Sequence, residues 1–257
     1  MTKDDIWRPQ AFDVLAALGL LTRLPLQLDG ARAQARGAAA AWAWPLAGVA
    51  VGLLGAATGG LALWLGMAPA AAAVIAIAAQ IFATGALHED GLADSADGLW
   101  GGWDKARRLE IMKDSRIGTY GVLALVLMTL LRWVALAGLF AAGTPWGALI
   151  AAGALSRVSM TMLMTALPNA RGAGLSHSVG RPGKAVAILS GAAGLFCGLV
   201  ALGPLAFSAA LWVGVACLAL GLVARARIGG QTGDILGASQ QISETGVLTL
   251  VAAALGP

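Results

Sequence analysis

Six blocks of 18 to 24 predominantly apolar residues restrict the folds that this chain can adopt, and they lie at 43–65, 69–87, 119–142, 146–167, 185–202 and 206–224. About 20 helical residues cross a hydrocarbon core of roughly 30 Å, and a helix satisfies its backbone hydrogen bonds internally. Only 12% of the 257 residues are charged, against about 25% in soluble proteins. The sequence therefore predicts an all-α fold, a polytopic integral membrane helical bundle with about six to seven transmembrane helices.

The polar segments between these blocks predict how the chain is organised. We expect a single membrane domain over 1–257, with a cytoplasmic or interfacial segment at 1–36, an acidic catalytic segment at 88–118 and a glycine-rich cytoplasmic segment at 225–245. The apolar tail 246–255 is too short to span alone and is expected to be re-entrant or partly extended. Lys and Arg are concentrated in the polar segments and missing from three of the short turns. The positive-inside rule therefore predicts that these segments share the cytoplasmic face.

An acidic stretch between positions 88 and 120 holds seven of the thirteen Asp and Glu residues. Asp90, Asp94 and Asp97 are spaced i, i+4 and i+7, which places them on one face of a helix. After a glycine-rich break, Glu110 and Asp114 are again four residues apart and are expected to share a second helix. Facing carboxylates with no cluster of His or Cys favour Mg²⁺, which binds carboxylates together with phosphate oxygens and water.

Basic residues accompany the carboxylates. Arg107, Lys113 and Arg116 are placed in sequence to meet phosphate oxygens, although ordinary juxtamembrane positive charge would give the same pattern. Arg132 and Arg157 fall inside predicted spans, where a guanidinium usually faces a polar cavity. Arg157 is the better candidate for lining a substrate cavity, whereas Arg132 could mark a misjudged boundary.

Two glycine-rich loops on the same predicted face could approach a phosphate closely, because glycine lets backbone N–H groups come near it. The first begins at Arg171, and the second contains Thr232 and Asp234. Flexible connections would have the same composition, so their shared face with the acidic stretch is the reason to treat them as candidates for substrate binding.

Three motifs resemble the signatures of the cobalamin synthase family, the adenosylcobinamide-GDP ribazoletransferases. They are the run from His88 to Gly98 (HEDGLADSADG), the run from Leu109 to Gly121 (LEIMKDSRIGTYG) and the run from Gly229 to Ala238 (GGQTGDILGA). The start LTRLP at 21–25 also matches, so the resemblance runs through nearly the whole chain in the family's order.

The resemblance implies an enzyme of the bacterial inner membrane that uses Mg²⁺. It would join adenosylcobinamide-GDP to α-ribazole, or to its 5'-phosphate, and release GMP. The expected partners are these substrates and the lipid bilayer, with no nucleic acid. The oligomeric state stays open, and a homo-oligomer is compatible with the sequence.

A looser similarity links the acidic stretch to the CDP-alcohol phosphotransferases, in which the last aspartate of a two-helix motif is taken as the base. Here Asp94 and Asp97 are followed by Glu110 and Asp114, but Glu replaces the third Asp, the Ala-Arg after the first glycine is missing, and the intervening stretch is shorter. The transfer of the base role to Asp114 is a hypothesis on this similarity.

We therefore predict a magnesium site, a catalytic pair and a set of substrate contacts. The magnesium ligands are Asp90, Asp94, Asp97 and Glu110. Asp114 activates the nucleophile and Lys113 contacts phosphate. Substrate contacts come from Arg107, Arg116, Arg157, Arg171, Thr232 and Asp234. The alternatives are a CDP-alcohol-type phosphotransferase and a divalent-cation or small-solute transporter, although a transporter favours carboxylates within the spans.

Overall fold

The computed structural model describes residues 8–255. This part of the chain contains twelve α-helices and one 3₁₀ turn, Gly37–Ala43. The first six helices are α1 (Phe12–Leu21), α2 (Gly30–Arg36), α3 (Trp44–Trp64), α4 (Pro69–Thr84), α5 (Leu87–Gly101) and α6 (Lys105–Ile111). The others are α7 (Thr119–Ala141), α8 (Pro145–Ala166), α9 (Leu175–Val179), α10 (Lys184–Leu202), α11 (Leu205–Ile228) and α12 (Gly233–Ala254). Residues 1–7 of the predicted N-terminal segment, and the last two residues of the predicted domain, lie outside the described range.

Five helical stretches are long and apolar enough to cross a membrane. They are Gly30–Trp64, which joins α2 to α3, and the helices α7, α8, α10 and α11. The pair α4 and α5 adds a sixth if the two are counted as one span, although they are bent by 88°. The predicted all-α, multi-span architecture is confirmed.

The corner between α4 and α5 is made by two residues in the left-handed region. Gly85 has φ 64° and Ala86 has φ 57°, and Ala86 is the one non-glycine residue between 8 and 255 with a positive φ. A left-handed alanine costs about 1 kcal/mol, so the surrounding contacts must hold it. Arg23 contributes one of them by donating its backbone N–H to the Ala83 carbonyl at 2.6 Å. The predicted span 69–87 therefore ends as a helix at Thr84.

Glycines let α3 and α8 approach each other closely. A Cβ on Gly48 would lie 2.0 Å from the carbonyl oxygen of Gly153, and one on Gly52 would lie 2.3 Å from that of Leu149. No side chain could fit at either position without separating the helices. The small-residue face of α3 is thus a tight helix contact, as expected of packing between membrane helices.

The C-terminal part of the chain differs from its prediction. Residues 233–254 form one continuous helix, α12, and only 229–232 lie outside helices in the glycine-rich segment predicted at 225–245. The tail 246–255 is therefore the second half of a 22-residue helix. The sequence did not indicate this long helix, because its polar first half, whose residues 235–245 are almost all buried, reads like a loop.

The polar connections meet at one end of the bundle. Arg108 donates to the backbone carbonyl of Arg227 at 3.2 Å, and Arg227 donates to that of Leu99 at 3.1 Å. A short parallel bridge pairs Asn169 with Gln231. The acidic segment, the 168–174 loop and the start of α12 are thereby brought together, as the charge distribution predicts.

Candidate active site

The carboxylates of α5 form the centre of the site. Asp90 is exposed and Asp94 is half-buried, whereas Asp97 is buried. All three lie on α5, as their spacing predicts. Asp90 lines two separate concavities, so α5 forms a wall between them.

The inner cavity, of about 150 Å³, lies between α1, α5, α8, the 168–174 loop, α9 and the start of α12. Its walls are mostly apolar, and its charged members are Asp90, Arg171 and Asp234. Arg171 Nη2 lies 2.7 Å from Asp234 Oδ2. The two predicted substrate-binding residues from separate glycine-rich loops are therefore brought together.

Backbone pairing between the two loops explains how this ion pair is positioned. Gln231 donates its N–H to the Pro168 carbonyl at 2.9 Å, and Ala170 donates to the Gln231 carbonyl at 2.8 Å. The side chain of Asn169 accepts from the N–H groups of Arg171 and Gly172 and donates to Ser176. Asn169 thus fixes the loop that carries Arg171, a role that no motif had indicated.

Thr232 has a capping position rather than an exposed one. Its side chain is buried, accepts from the N–H of Ile235 and donates to Asp234 Oδ2 at 3.2 Å. This is the hydrogen bond of a helix N-cap residue. Thr232 therefore orients Asp234 and begins α12, and it does not line the inner cavity.

The outer cavity, of about 520 Å³, lies between α5 and the loop that follows α6. Asp90 and Asp94 line one side, and Lys113, Asp114 and Arg116 line the other. The expected second acidic helix is shorter than predicted, because α6 ends at Ile111 and Asp114 lies in the loop beyond it.

Asp114 is held by its neighbour Arg116. The guanidinium of Arg116 lies 2.8 Å from Asp114 Oδ2, and the backbone N–H of Arg116 also donates to the Asp114 carboxylate. Hydrogen bonds from the Arg116 side chain and backbone lower the pKa of Asp114 to about 2. The carboxylate is therefore ionised at neutral pH and is a weak base as long as this pair persists.

The carboxylate of Asp97 accepts hydrogen bonds from the start of α7. Its two carboxylate oxygens accept from the N–H of Gly118 at 2.7 Å and from that of Gly121 at 2.9 Å. A carboxylate at a helix N-terminus satisfies otherwise unpaired N–H groups and interacts favourably with the helix dipole. Asp97 therefore ties α5 to α7, which limits its freedom to bind a metal ion.

Glu110 lies apart from Asp90 and Asp94. It is exposed on α6 and forms an ion pair with Arg107, with 2.8 Å between Nη1 and Oε2. Both line a third concavity, which also borders Asp97, Asp114 and Arg116. The four predicted magnesium ligands are thus in three different settings. Asp90 and Asp94 line an open cavity, Asp97 caps α7, and Glu110 forms an exposed ion pair.

No preformed metal cluster is present among residues 8–255, where no three His, Cys, Asp or Glu side chains lie close enough to hold an ion. The carboxylates nevertheless act on one another, because Asp234, Asp90 and Asp97 all repel a charge on Asp94. Arg171 partly offsets this repulsion. The donors are all oxygen atoms, the type that Mg²⁺ prefers when substrate phosphates and water complete its coordination.

Arg157 does not line an open cavity, contrary to prediction. It is buried, and its Nη1 lies 2.5 Å from Glu244 Oε2. Arg132, which could have marked a misjudged boundary, lies within α7 and places Nη2 2.6 Å from Glu244 Oε1. We call the set Arg132, Arg157, Glu244, Gln80, Gln240 and Gln241 the enclosed network.

The enclosed network explains why the prediction for Arg157 failed. A charge inside a bundle needs a partner, and the partner here is Glu244, 87 and 112 residues away from the two arginines. The sequence does contain a signal, since two arginines within spans require a buried acid. Glu244 reads from sequence only as the start of the apolar tail.

Comparison with known proteins gives the relationship of the chain. A family model described as cobalamin-5-phosphate synthase matches residues 13–252. A protein of Bradyrhizobium diazoefficiens named adenosylcobinamide-GDP ribazoletransferase is 47% identical over 247 residues, covering 94% of this chain and 93% of its own. Proteins of the same name from Mesorhizobium japonicum and Brucella anthropi are 44% and 42% identical, each over 95% of this chain and over 93% and 97% of their own.

No solved structure matches the chain. The family match covers nearly all described helices, including α5, the loop after α6 and the start of α12. These are the elements that enclose the inner and outer cavities. The chain belongs to the cobalamin-5-phosphate synthase family.

Proposed function

We propose that this protein transfers the cobinamide phosphate of adenosylcobinamide-GDP to a ribose hydroxyl of α-ribazole, or of its 5'-phosphate, and releases GMP. The observation that carries the proposal is the outer cavity, where Asp90 and Asp94 face Lys113 and Arg116. Opposed carboxylates and basic side chains in one open concavity suit a pyrophosphate with an accompanying cation. The names of the relatives supply the substrate class.

Asp90 and Asp94 are the residues that we propose to hold Mg²⁺, because both are accessible from the outer cavity. Two carboxylates are enough when substrate phosphates supply further oxygen ligands. The ion would neutralise charge on the pyrophosphate and on the leaving GMP. Asp97 supports this site by holding α5 against α7. Glu110 and Arg107 line the third concavity instead.

Lys113 and Arg116 are proposed to bind the phosphates of the donor. Lys113 is exposed and forms no ion pair with a carboxylate among the described residues. Arg116 forms one with Asp114. A guanidinium binds phosphate oxygens in a bidentate manner, so a bound pyrophosphate would compete with Asp114 for Arg116.

This competition gives Asp114 a route to act as the base. When Arg116 moves to a phosphate, Asp114 loses the hydrogen bonds that lower its pKa, and its basicity rises toward that of an ordinary carboxylate. It could then take the proton of the attacking hydroxyl as the new P–O bond forms. The bond to the GMP oxygen breaks, and GMP leaves with the electron pair.

The site is proposed to face the cytoplasm from a bacterial inner membrane. The polar end of the bundle holds the cavities and most of the Lys and Arg residues, in agreement with the positive-inside rule. A transporter is less well supported, because the charges inside the spans are paired in the enclosed network and leave no open space there.

The proposal is tested by GMP release from adenosylcobinamide-GDP and α-ribazole by purified protein, with and without Mg²⁺. Asp94→Asn is expected to lower the magnesium-dependent rate by about 100-fold or more, since it removes a charge that faces the phosphates. Asp29→Asn is the matched control. Asp29 caps α2 by accepting from the N–H of Arg32 at 3.0 Å, and Asn caps a helix equally well.

Each alternative predicts a different outcome. Near-normal magnesium-dependent GMP release by Asp94→Asn would contradict the proposed role of Asp94. Turnover of a CDP-linked donor without any response to the GDP-linked corrinoid would favour a CDP-alcohol-type phosphotransferase. Cation uptake into proteoliposomes without nucleotide would favour a transporter.

A further inference from the structure

The inner cavity has no task in the phosphate chemistry of the outer cavity, although the two share Asp90. Its walls are mainly apolar side chains, including Leu20, Met160 and Met164. Ligand sites typically combine such walls with a few polar groups that fix orientation. Here the polar groups are Asp90, Arg171 and Asp234, all on the walls of the cavity.

An adjoining apolar concavity of about 340 Å³ enlarges this space under α1 and the 3₁₀ turn. Leu20, Trp44, Leu175 and Val179 line both. Small-molecule sites commonly measure roughly 300–1,000 Å³. The combined space therefore suits a ligand with a flat apolar part.

Two almost fully buried residues of the cavity wall carry side-chain nitrogen atoms that have no hydrogen-bond partner among the described residues. They are Nε1 of Trp44 and Nε2 of His88. An unsatisfied buried polar group costs about 1–3 kcal/mol. A ligand with a ring nitrogen or hydroxyl could satisfy one of them.

We propose that the inner cavity binds the acceptor nucleoside, with its benzimidazole base among the apolar side chains and its ribose toward Asp90 and the Arg171–Asp234 pair. This inference rests on the proposed function and adds the location of the second substrate. The base of α-ribazole is a bicyclic aromatic ring with two methyl groups, which is more apolar than a purine. A purine nucleoside would leave its amino and carbonyl groups unpaired against these walls.

The shared wall explains why the two substrates would meet. The acceptor ribose in the inner cavity and the donor phosphates in the outer cavity both lie next to Asp90. On the inner side, α5 packs closely against the start of α12, since a Cβ on Gly91 would lie 2.8 Å from the carbonyl oxygen of Asp234. The proposal therefore assigns one cavity to each substrate.

Two variants test the location by opposite changes in the cavity wall. Gly233 lines the inner cavity and has open space around the position of a Cβ, so Gly233→Leu adds bulk there without a clash at the Cβ. Leu175 lines it and is 50% exposed, so Leu175→Ala removes an apolar contact with little risk to folding. The matched controls are Gly183→Leu, which also has open space, and Leu65→Ala, at an exposed position just beyond the end of α3.

The measurement is steady-state GMP release by the full chain, with each substrate varied in turn. We expect Gly233→Leu to raise the KM for α-ribazole by about tenfold and Leu175→Ala to raise it by about fivefold, the range that a lost apolar contact supports. The KM for adenosylcobinamide-GDP should stay within about twofold for both variants, and the controls should match the wild type.

A second acceptor gives a readout that a general structural defect would not produce. The riboside of benzimidazole without its methyl groups should be used by the wild type with a kcat/KM at least about tenfold lower. Leu175→Ala should reduce this preference. The preference should be unchanged in Leu65→Ala.

Three results would overturn the inference. They are an unchanged KM for α-ribazole in both variants, a rise in the KM for the donor alone, and an equal rise in both values. Any of these in an active wild type refutes the location of the acceptor while leaving the proposed function intact. Absence of GMP release by the wild type would instead refute the proposed function.

Discussion

Charged side chains occur in two regions of this protein, and the two regions use them differently. In the enclosed network, both oxygens of Glu244 accept from arginines, and no free space remains. In the outer cavity, Asp90, Asp94 and Lys113 face an open space of about 520 Å³. Charge alone therefore does not mark an active site in a membrane bundle, since the more deeply buried charges are those already paired.

The largest effect is expected when the central acid of the enclosed network is removed. Glu244→Gln leaves Arg157 buried without its counter-charge and leaves Arg132 only the longer contact with Glu89, at 3.4 Å. Removing one partner of a buried ion pair typically costs about 3–5 kcal/mol, so we expect a large fall in the free energy of unfolding. Thermal unfolding of the purified protein in detergent measures it.

The exposed pair on α6 supplies the control. Glu110→Gln removes the ion pair with Arg107, and surface pairs are worth about 0–1 kcal/mol. Equal stability of Glu244→Gln and the wild type would show that the enclosed network does not hold the bundle together.

A middle effect is expected for Asp97, which is buried but accepts from backbone N–H groups instead of pairing with an arginine. Asp97→Asn keeps the shape but weakens the two hydrogen bonds to Gly118 and Gly121, and loses the charge at the start of α7. We expect a loss of about 1–2 kcal/mol, in the range of capping and charge-assisted hydrogen bonds. Chemical unfolding measures this loss.

GMP release by Asp97→Asn distinguishes a structural role of Asp97 from direct binding of Mg²⁺. If Asp97 only positions α5, the magnesium concentration for half-maximal rate should stay within about twofold of the wild type, whereas direct coordination would raise it much further. An unchanged stability together with a strongly raised magnesium requirement would contradict the capping role.

The smallest effect concerns the pair of Asp114 and Arg116. The folded pKa of Asp114 is lowered to about 2, below the value of about 3.9 for an unperturbed Asp. Its contribution to stability is therefore present above pH about 4 and is lost as the pH falls toward 2. In Arg116→Ala this acid dependence should nearly vanish, and unfolding measured between pH 2 and 5 would detect the difference.

The Arg116→Ala variant also tests whether Arg116 controls the basicity of Asp114. Arg116→Ala should raise the KM for adenosylcobinamide-GDP, because a phosphate contact is lost, while leaving the KM for α-ribazole unchanged. A pKa of Asp114 that stays near 2 in the variant, as titrated by NMR, would refute the role of Arg116 in lowering it.

Features that depend on local periodicity could be predicted from the sequence. The spacing of Asp90, Asp94 and Asp97 sets one helical face whatever the rest of the chain does, and the apolar blocks set the long helices. Arg171 and Asp234 could be assigned to one face from the distribution of charge, although their contact depends on the pairing of Asn169 with Gln231.

Features that depend on distant contacts or on helix ends could not be predicted in this way. Glu244 is paired with arginines on two other helices, and no local pattern shows such a partner. The end of α6 at Ile111, which leaves Asp114 in a loop, is a boundary that periodicity locates poorly. In sequence, a carboxylate that binds a metal ion cannot be told from one that caps another helix. Asp97 was therefore predicted to be a metal ligand.

The corner at Gly85 and Ala86 has a consequence for the surrounding lipid. At about 1.5 Å per residue, the 16 residues of α4 extend about 24 Å, short of the roughly 30 Å of a hydrocarbon core. The carboxylates of α5, which turns away at 88°, would then lie near the depth where acyl chains begin. Such hydrophobic mismatch is relieved when the bilayer thins locally. Acyl-chain length would therefore tune how readily a water-soluble nucleotide reaches the outer cavity.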